Sequence, residues 1–247
     1  MTSGDIRVRK LTARSAILSA LLGAHPAQAS AAGILMVTSG LGFKDSAVRV
    51  ALTRLVAMGD LDRSEGMYRL SARLIDRQRR QDHAIRPEST PWDGSWRLAV
   101  VTIGAEDSTD RAALRAALRE AKFGELREGV WGRPNNIEAV VRTESTSRIT
   151  LFTAVPDGDS VQLVQSAFAP REWASIAVDL IMKFDAAAEV LDRFEVAAAL
   201  VRHILDDPLL PMEVLPAPWP GDAIRTTYES FRKELTDMVS QFGASSQ

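Results

Sequence analysis

Within its first 70 residues the chain passes through three short helical periods, a glycine-rich break and one two-residue period, and few folds accept that succession. Ile17, Leu18, Leu21 and Leu22 recur at helical spacing in a first segment, about 13–22, and Ile34, Leu35 and Val37 in a second, about 29–39. Ser39-Gly40-Leu41-Gly42 supplies a turn, and a third helix is expected from about Ser46 to Met58. There Val48, Ala51, Leu52 and Leu55 fall at i, i+3, i+4 and i+7 and so face the other two helices. Its outer face keeps Ser46, Ala47, Arg49, Val50 and Thr53, with Lys44 at the start and Arg54 on the flank. Gly59 closes the helix, and Leu61, Arg63, Met67 and Arg69 alternate around Glu65-Gly66, a tight-turn pair. Two helices joined by a glycine turn and followed by a hairpin predict a winged helix-turn-helix whose third helix enters a DNA major groove. Phosphate contacts, expected of Arg63 and Arg69, give affinity and register; base edges give choice.

The charge distribution agrees with a polyanionic partner for one end. The net charge of −2 divides into 14 basic against 8 acidic residues over positions 1–90, and 16 against 24 over the rest. Arg7, Arg9 and Lys10 ahead of Ala16–Leu22, with Ala27-Gln28-Ala29 behind, outline a secretory signal peptide. Arg14 abuts that apolar stretch, however, and removing it would strip the second helix of its packing partner, so the first helix is assigned to the fold. Ala72–Ile85 is helical in pattern and carries Arg73, Arg77, Arg79 and Arg80, as a solvated linker or as a DNA-backbone contact.

Pro87 and Pro91 mark a boundary. Beyond it, Trp96–Ile103 reads as a strand, Asp107–Lys122 as an amphipathic helix, Gly129-Val130-Trp131 as a strand and Ile137–Val141 as a short helix. Arg148–Ala154 and Val161–Gln165 read as further extended segments, an order that suggests a small ferredoxin-like α+β unit. From Pro170 helical periods dominate, with stripes through Trp173–Phe184, Val190–Leu205 and Tyr228–Phe242. The expected fold is therefore α+β: a winged helix-turn-helix over 1–86, a ferredoxin-like domain over 87–168 and a helical domain over 169–247.

Several chemistries are excluded. The chain has no cysteine, which removes disulfides, thiolate metal sites and thiol catalysis and fits a reducing cytoplasm. There is no phosphate-cradling loop, dinucleotide fingerprint or nucleophile elbow, and no run apolar enough for a membrane span. Glu106, Asp107 and Asp110 follow the first central strand, where they cap a helix or, in an alternative reading as a Mg²⁺-dependent nuclease, hold metal. His83 and His203 read as surface or packing residues, and no catalytic residue, metal or cofactor is assigned. A winged helix that binds only protein is a third reading.

Four runs in order along the chain resemble the phenylacetic-acid catabolon repressor (PaaX) family. They are Val48-Arg49-Val50-Ala51-Leu52-Thr53-Arg54-Leu55 with Gly59-Asp60-Leu61; Pro91-Trp92-Asp93-Gly94-Ser95-Trp96; Gly129-Val130-Trp131 with Pro134; and Leu215-Pro216-Ala217-Pro218-Trp219-Pro220-Gly221. The resemblance implies a homodimeric transcriptional regulator of a catabolic operon, a repressor on an inverted-repeat operator, relieved by an acyl-CoA or aromatic-acid effector. Only Arg49 and Arg54 carry over cleanly as DNA contacts, and the Ala-rich stretch His25–Gly33 departs from the family pattern. Trp96, Trp131 and Arg133 lie on or beside central strands, either as an effector-binding set in which the arginine meets a CoA phosphate or as core.

Overall fold

Thr12 and Ser15 cap each other reciprocally at the start of α1 (Ala13–Gly23) in the computed structural model, which describes residues 8–104, 107–142 and 147–244, from 237 onward by backbone alone. The remaining elements are β1 (Gln28–Ser30), α2 (Ala31–Gly40), α3 (Asp45–Ala57), β2 (Leu61–Ser64), β3 (Met67–Leu70), α4 (Ala72–Ile85), β4 (Trp96–Val101) and α5 (Ser108–Glu120). They continue with β5 (Gly124–Arg127), β6 (Val130–Pro134), β7 (Ile149–Ala154), α6 (Ser160–Phe168), α7 (Pro170–Ala186), α8 (Val190–Leu205) and α9 (Gly221–Ala244).

The chain condenses into two units whose make-up differs from the order of the sequence. The first holds the described residues up to Arg86, then Ile176–Asp206 and the segment from Pro220; the second holds Pro87–Ser175 and Asp207–Trp219. In the first unit Ile17, Leu21, Ile34, Val48, Leu52, Leu55, Leu61 and Leu70 form one core, so α1 is part of the fold. The hairpin turns at Glu65-Gly66, both at positive φ (52° and 76°), as a two-residue turn between twisted strands requires. Its β3 also pairs with β1, making a three-stranded sheet of order β1-β3-β2; a strand of three residues gives too short an alternation to be read in advance.

The C-terminal helices are where the boundaries differ most. The inner face of α4 presents Leu74, Gln78, Gln81 and Ile85, all buried, and α8 packs on that helix. From α9 Tyr228 receives the Gln81 amide at 2.8 Å, and the Arg225 Nε donates to the Ala84 carbonyl at 3.0 Å. Phe231 meets Phe184 and Phe194 edge-on at 6.0 and 5.4 Å. Helices α8 and α9 thus lie in the same compact unit as α1 to α4.

In the second unit β5, β6, β4 and β7 form an antiparallel sheet in that order, the ferredoxin-like arrangement. One face carries Ala99, Trp131 and Ile149 under α5; the other carries Trp96 and Leu98 with Val164 and Phe168 of α6. Two expected elements differ. Val161–Gln165 is helical, because Asp159 accepts the Val161 N–H at 2.8 Å and caps α6. Ile137–Val141 forms no helix, since five residues add almost no i→i−4 bonds, although Val141 still enters the core. Small residues let the layers meet: a Cβ on Gly132 would lie 2.8 Å from Leu126 Cδ1 and 2.9 Å from Leu98 Cδ2. No helix among the described residues is long and apolar enough to cross a membrane.

Candidate nucleic-acid interface

The third helix sorts its residues by period alone. Val48, Ala51, Leu52 and Leu55 are buried against α1 and α2, which fixes the helix by its inner face. Lys44, Ser46, Ala47, Arg49, Thr53 and Arg54 are exposed, and Val50 is 51% exposed. Gly42, at a φ of 79°, turns the chain from α2 into α3 in a left-handed conformation that favours glycine. Thr53 donates its hydroxyl to the Arg49 carbonyl at 3.0 Å and so stays on the helix surface. Among the described residues no carboxylate pairs with Lys44, Arg49 or Arg54, so three cations stand unneutralised on one helix.

Beside the helix, Arg63 and Arg69 are exposed on β2 and β3. Arg63 lies over the Tyr68 ring at 5.6 Å, and Arg69 donates from Nε to the Gln28 side-chain oxygen at 2.8 Å, which orients it from β1. The base of the hairpin is held by Asp60, a buried carboxylate that receives Arg14 of α1 at 2.9 Å and Arg73 of α4. Its backbone also accepts the Ser71 N–H at 3.0 Å, so one residue ties α1, the hairpin and α4 together. Gln78 of α4 caps α1 from below, donating Nε2 to the carbonyls of Leu22 (3.0 Å) and Ala24 (2.8 Å). Neither role was assigned from the sequence. A polar residue at a core position of the α4 stripe, Gln78 after Leu74, was the available signal.

The central residues are placed otherwise. Trp96 and Trp131 are each 2% exposed, on opposite faces of the sheet, and Arg133 is wholly buried. Its guanidinium donates to the carbonyls of Pro134 (3.1 Å), Lys122 (3.1 Å), Pro208 (3.3 Å) and Leu209 (3.0 Å) and to Asn136 Oδ1 (3.1 Å). Burial lowers its pKa from the ordinary value, and the nearby Asp207 carboxylate opposes that. The geometry gives the three residues packing and bridging roles and does not bring them together around a common opening. Arg115 and Arg119 instead lie over the Trp131 ring at 5.9 and 5.6 Å.

The runs that carried the resemblance have structural explanations as well. Asp93 accepts the Ser95 N–H at 2.9 Å and Trp92 donates to the Ser95 carbonyl at 2.7 Å, around Gly94 at a φ of 87°. This closes a turn that delivers Trp96 to the core. Trp219 stacks on Trp173 with centroids 4.6 Å apart. Of the acidic trio, Asp107 caps α5 by accepting the Asp110 N–H at 2.8 Å and Asp110 pairs with Arg148; Glu106 lies outside the described residues. Among the described residues no group of three or more His, Asp or Glu side chains is arranged to hold a metal.

A winged helix with a cationic helix face that no carboxylate neutralises among the described residues defines a module of the winged-helix class. The family descriptions "PaaX-like protein", "PaaX protein central Cas2-like domain" and "PaaX-like protein C-terminal domain" match residues 12–74, 89–164 and 168–245. The chain belongs to the PaaX family. It is 29% identical over 240 residues to the transcriptional repressor PaaX of Escherichia coli strain K12, covering 84% of this chain and 75% of that one. It is also similar to the solved structure of an uncharacterized protein from Mycobacterium tuberculosis, at a TM-score of 0.84 and 43% identity over 93% of this chain and 98% of that chain. The kinship is to a transcriptional repressor, which supports a regulator and is consistent with a protein that is not an enzyme.

Proposed function

We propose that the protein is a DNA-binding repressor that reads duplex DNA with α3 and braces it with the hairpin. The observation that carries this reading is the outward, unpaired Arg49 on a helix whose opposite face is locked in the core. Arg49 reads a base edge, most simply guanine through a bidentate contact, worth about 1–3 kcal/mol. Lys44, Ser46, Ala47, Val50, Thr53 and Arg54 complete the groove-facing surface, and Arg63 and Arg69 hold phosphates. Two copies bind an inverted-repeat operator with their reading helices about 34 Å apart. A catabolic effector, an acyl-CoA or aromatic acid, lowers DNA affinity by favouring a spacing that no longer fits, which requires tighter binding to that state.

The test is a titration of Arg49→Ala against a matched operator and a scrambled duplex at fixed salt. Weakened binding to the operator alone supports base reading. Equal losses on both sequences reject it.

A further inference from the structure

One row of polar side chains crosses the outer face of the three-stranded sheet. Arg69, on the central strand β3, stands directly opposite Gln28 of β1 and directly opposite Asp62 of β2. Opposed residues in antiparallel strands share a face and lie within side-chain reach, so the arginine has an amide on one side and a carboxylate on the other. The carboxylate is the stronger acceptor. The guanidinium nevertheless turns to the amide: Arg69 Nε donates to Gln28 Oε1 at 2.8 Å, while among the described residues Asp62 forms no ion pair. Glu65, the other exposed carboxylate of the hairpin, is at its tip, beyond the Arg63–Tyr68 and Ser64–Met67 pairs. Asp60 is buried and already held by Arg14 and Arg73.

An ion pair across β2 and β3 would neutralise Arg69 and withdraw it from use by another molecule. Glutamine avoids this, because its oxygen fixes the Nε edge of the guanidinium without cancelling the charge. It also does so from the side of β3 away from Asp62, since the strand order is β1-β3-β2. The Nη donors are then left for an outside acceptor, in the fork geometry that suits an oxyanion. We propose that Gln28 is a positioning residue for DNA binding: it holds Arg69 off Asp62 and presents the Nη donors to a backbone phosphate. This use of Arg69 rests on the protein's being a DNA binder. The competition between Gln28 and Asp62 does not, and it is measurable without DNA.

In the first arm, urea unfolding of the full-length protein gives the coupling between Arg69 and Asp62 from Arg69→Ala, Asp62→Asn and the double variant. The cycle is run with Gln28 and again with Gln28→Ala. With Gln28 no coupling is expected; without it, the pair should change the unfolding constant by about two- to fivefold beyond additivity. In the second arm, binding to a duplex of mixed sequence is titrated across salt, since phosphate contacts do not depend on sequence. Gln28→Ala should lower the magnitude of the log–log slope by about 1, as the loss of one phosphate contact does, and adding Asp62→Asn should restore it. Gln28→Glu keeps the hydrogen bond but cancels the charge, so it should lower the slope equally and gain nothing from Asp62→Asn. With Arg69→Ala already present, Gln28→Ala should have no further effect, which a general loosening of the sheet would not produce. Equal coupling in the two cycles, or a lowered slope that Asp62→Asn fails to restore, overturns the proposal. Normal duplex binding with an unaltered slope in Gln28→Ala overturns the role of Gln28 alone. No duplex binding by the unmodified protein overturns the DNA-binding reading together with this use of Arg69.

Discussion

Arg49 on α3 and Arg133 in the central sheet are the same side chain in opposite surroundings. The first stands in solvent without a carboxylate partner among the described residues; the second is wholly enclosed by carbonyl oxygens. A guanidinium kept unpaired at a surface is available to another molecule, and one surrounded by acceptors is a fastener for its own chain. The winged-helix face therefore exposes its charge on a frame stabilised from behind, while the sheet unit uses charge internally to bind the loop at Pro208 and Leu209 to β6.

The contrast breaks most visibly if Arg133→Met is tolerated. That change leaves buried carbonyls without their donor and takes the opposing charge from beside Asp207, and it should cost about 3–5 kcal/mol in denaturant unfolding. Gly132→Val, which forces methyl groups into Leu98 and Leu126 in the same sheet, is expected to cost about 1–3 kcal/mol by the same measurement. On the exposed side, Arg49→Ala should leave stability within about 0.5 kcal/mol of the parent. A larger change would mean that Arg49, too, is a fastener.

Alkaline titration sharpens the comparison inside the first unit. Burial pushes the Tyr228 hydroxyl up to about 12, with Arg232 and the Gln81 hydrogen bond acting against that rise. The unfolded phenol ionises near 10 while the folded one stays neutral, so the unfolded state holds fewer protons in this range. Stability from this residue is intact below pH 10 and falls by about 1.4 kcal/mol per pH unit between 10 and 12. Tyr228→Phe should remove that part of the slope, as unfolding at pH 9 and 11 would show. The smallest expected effect is on salt dependence. Removing Arg63 or Arg69 should lower the magnitude of the log–log salt slope of DNA binding by about 1 each, evenly across sequences.

Periodicity made α3 legible because burial there follows a simple 3.6-residue rule through Val48, Ala51, Leu52 and Leu55. The tight turn at Glu65-Gly66 and three of the four central strands, β4, β6 and β7, were legible for similar local reasons. Arg133 was not, since nothing next to it in the chain reveals that Pro208 and Leu209 fold back to accept its hydrogen bonds. The same holds for Asp60, whose partners lie 46 and 13 residues away. β1 is three residues long, too short for alternation to be distinguished from chance, and in β5 an irregularity between Glu125 and Arg127 interrupts the two-residue period. The division of the C-terminal helices was hidden because a helical stripe tells that a face is covered but not by what.

That division has a consequence for biosynthesis. On the ribosome, α4 emerges long before α8 and α9, so the stripe that includes Gln81 and Ala84 waits for Tyr228 and Arg225 until translation is nearly over. A nascent chain stalled midway holds α3 and the hairpin yet lacks the helices that cover α4 from behind. The unit is thus complete only with the final turns of synthesis, and a fragment ending at Arg86 would show the uncovered face of α4 to chaperones and proteases.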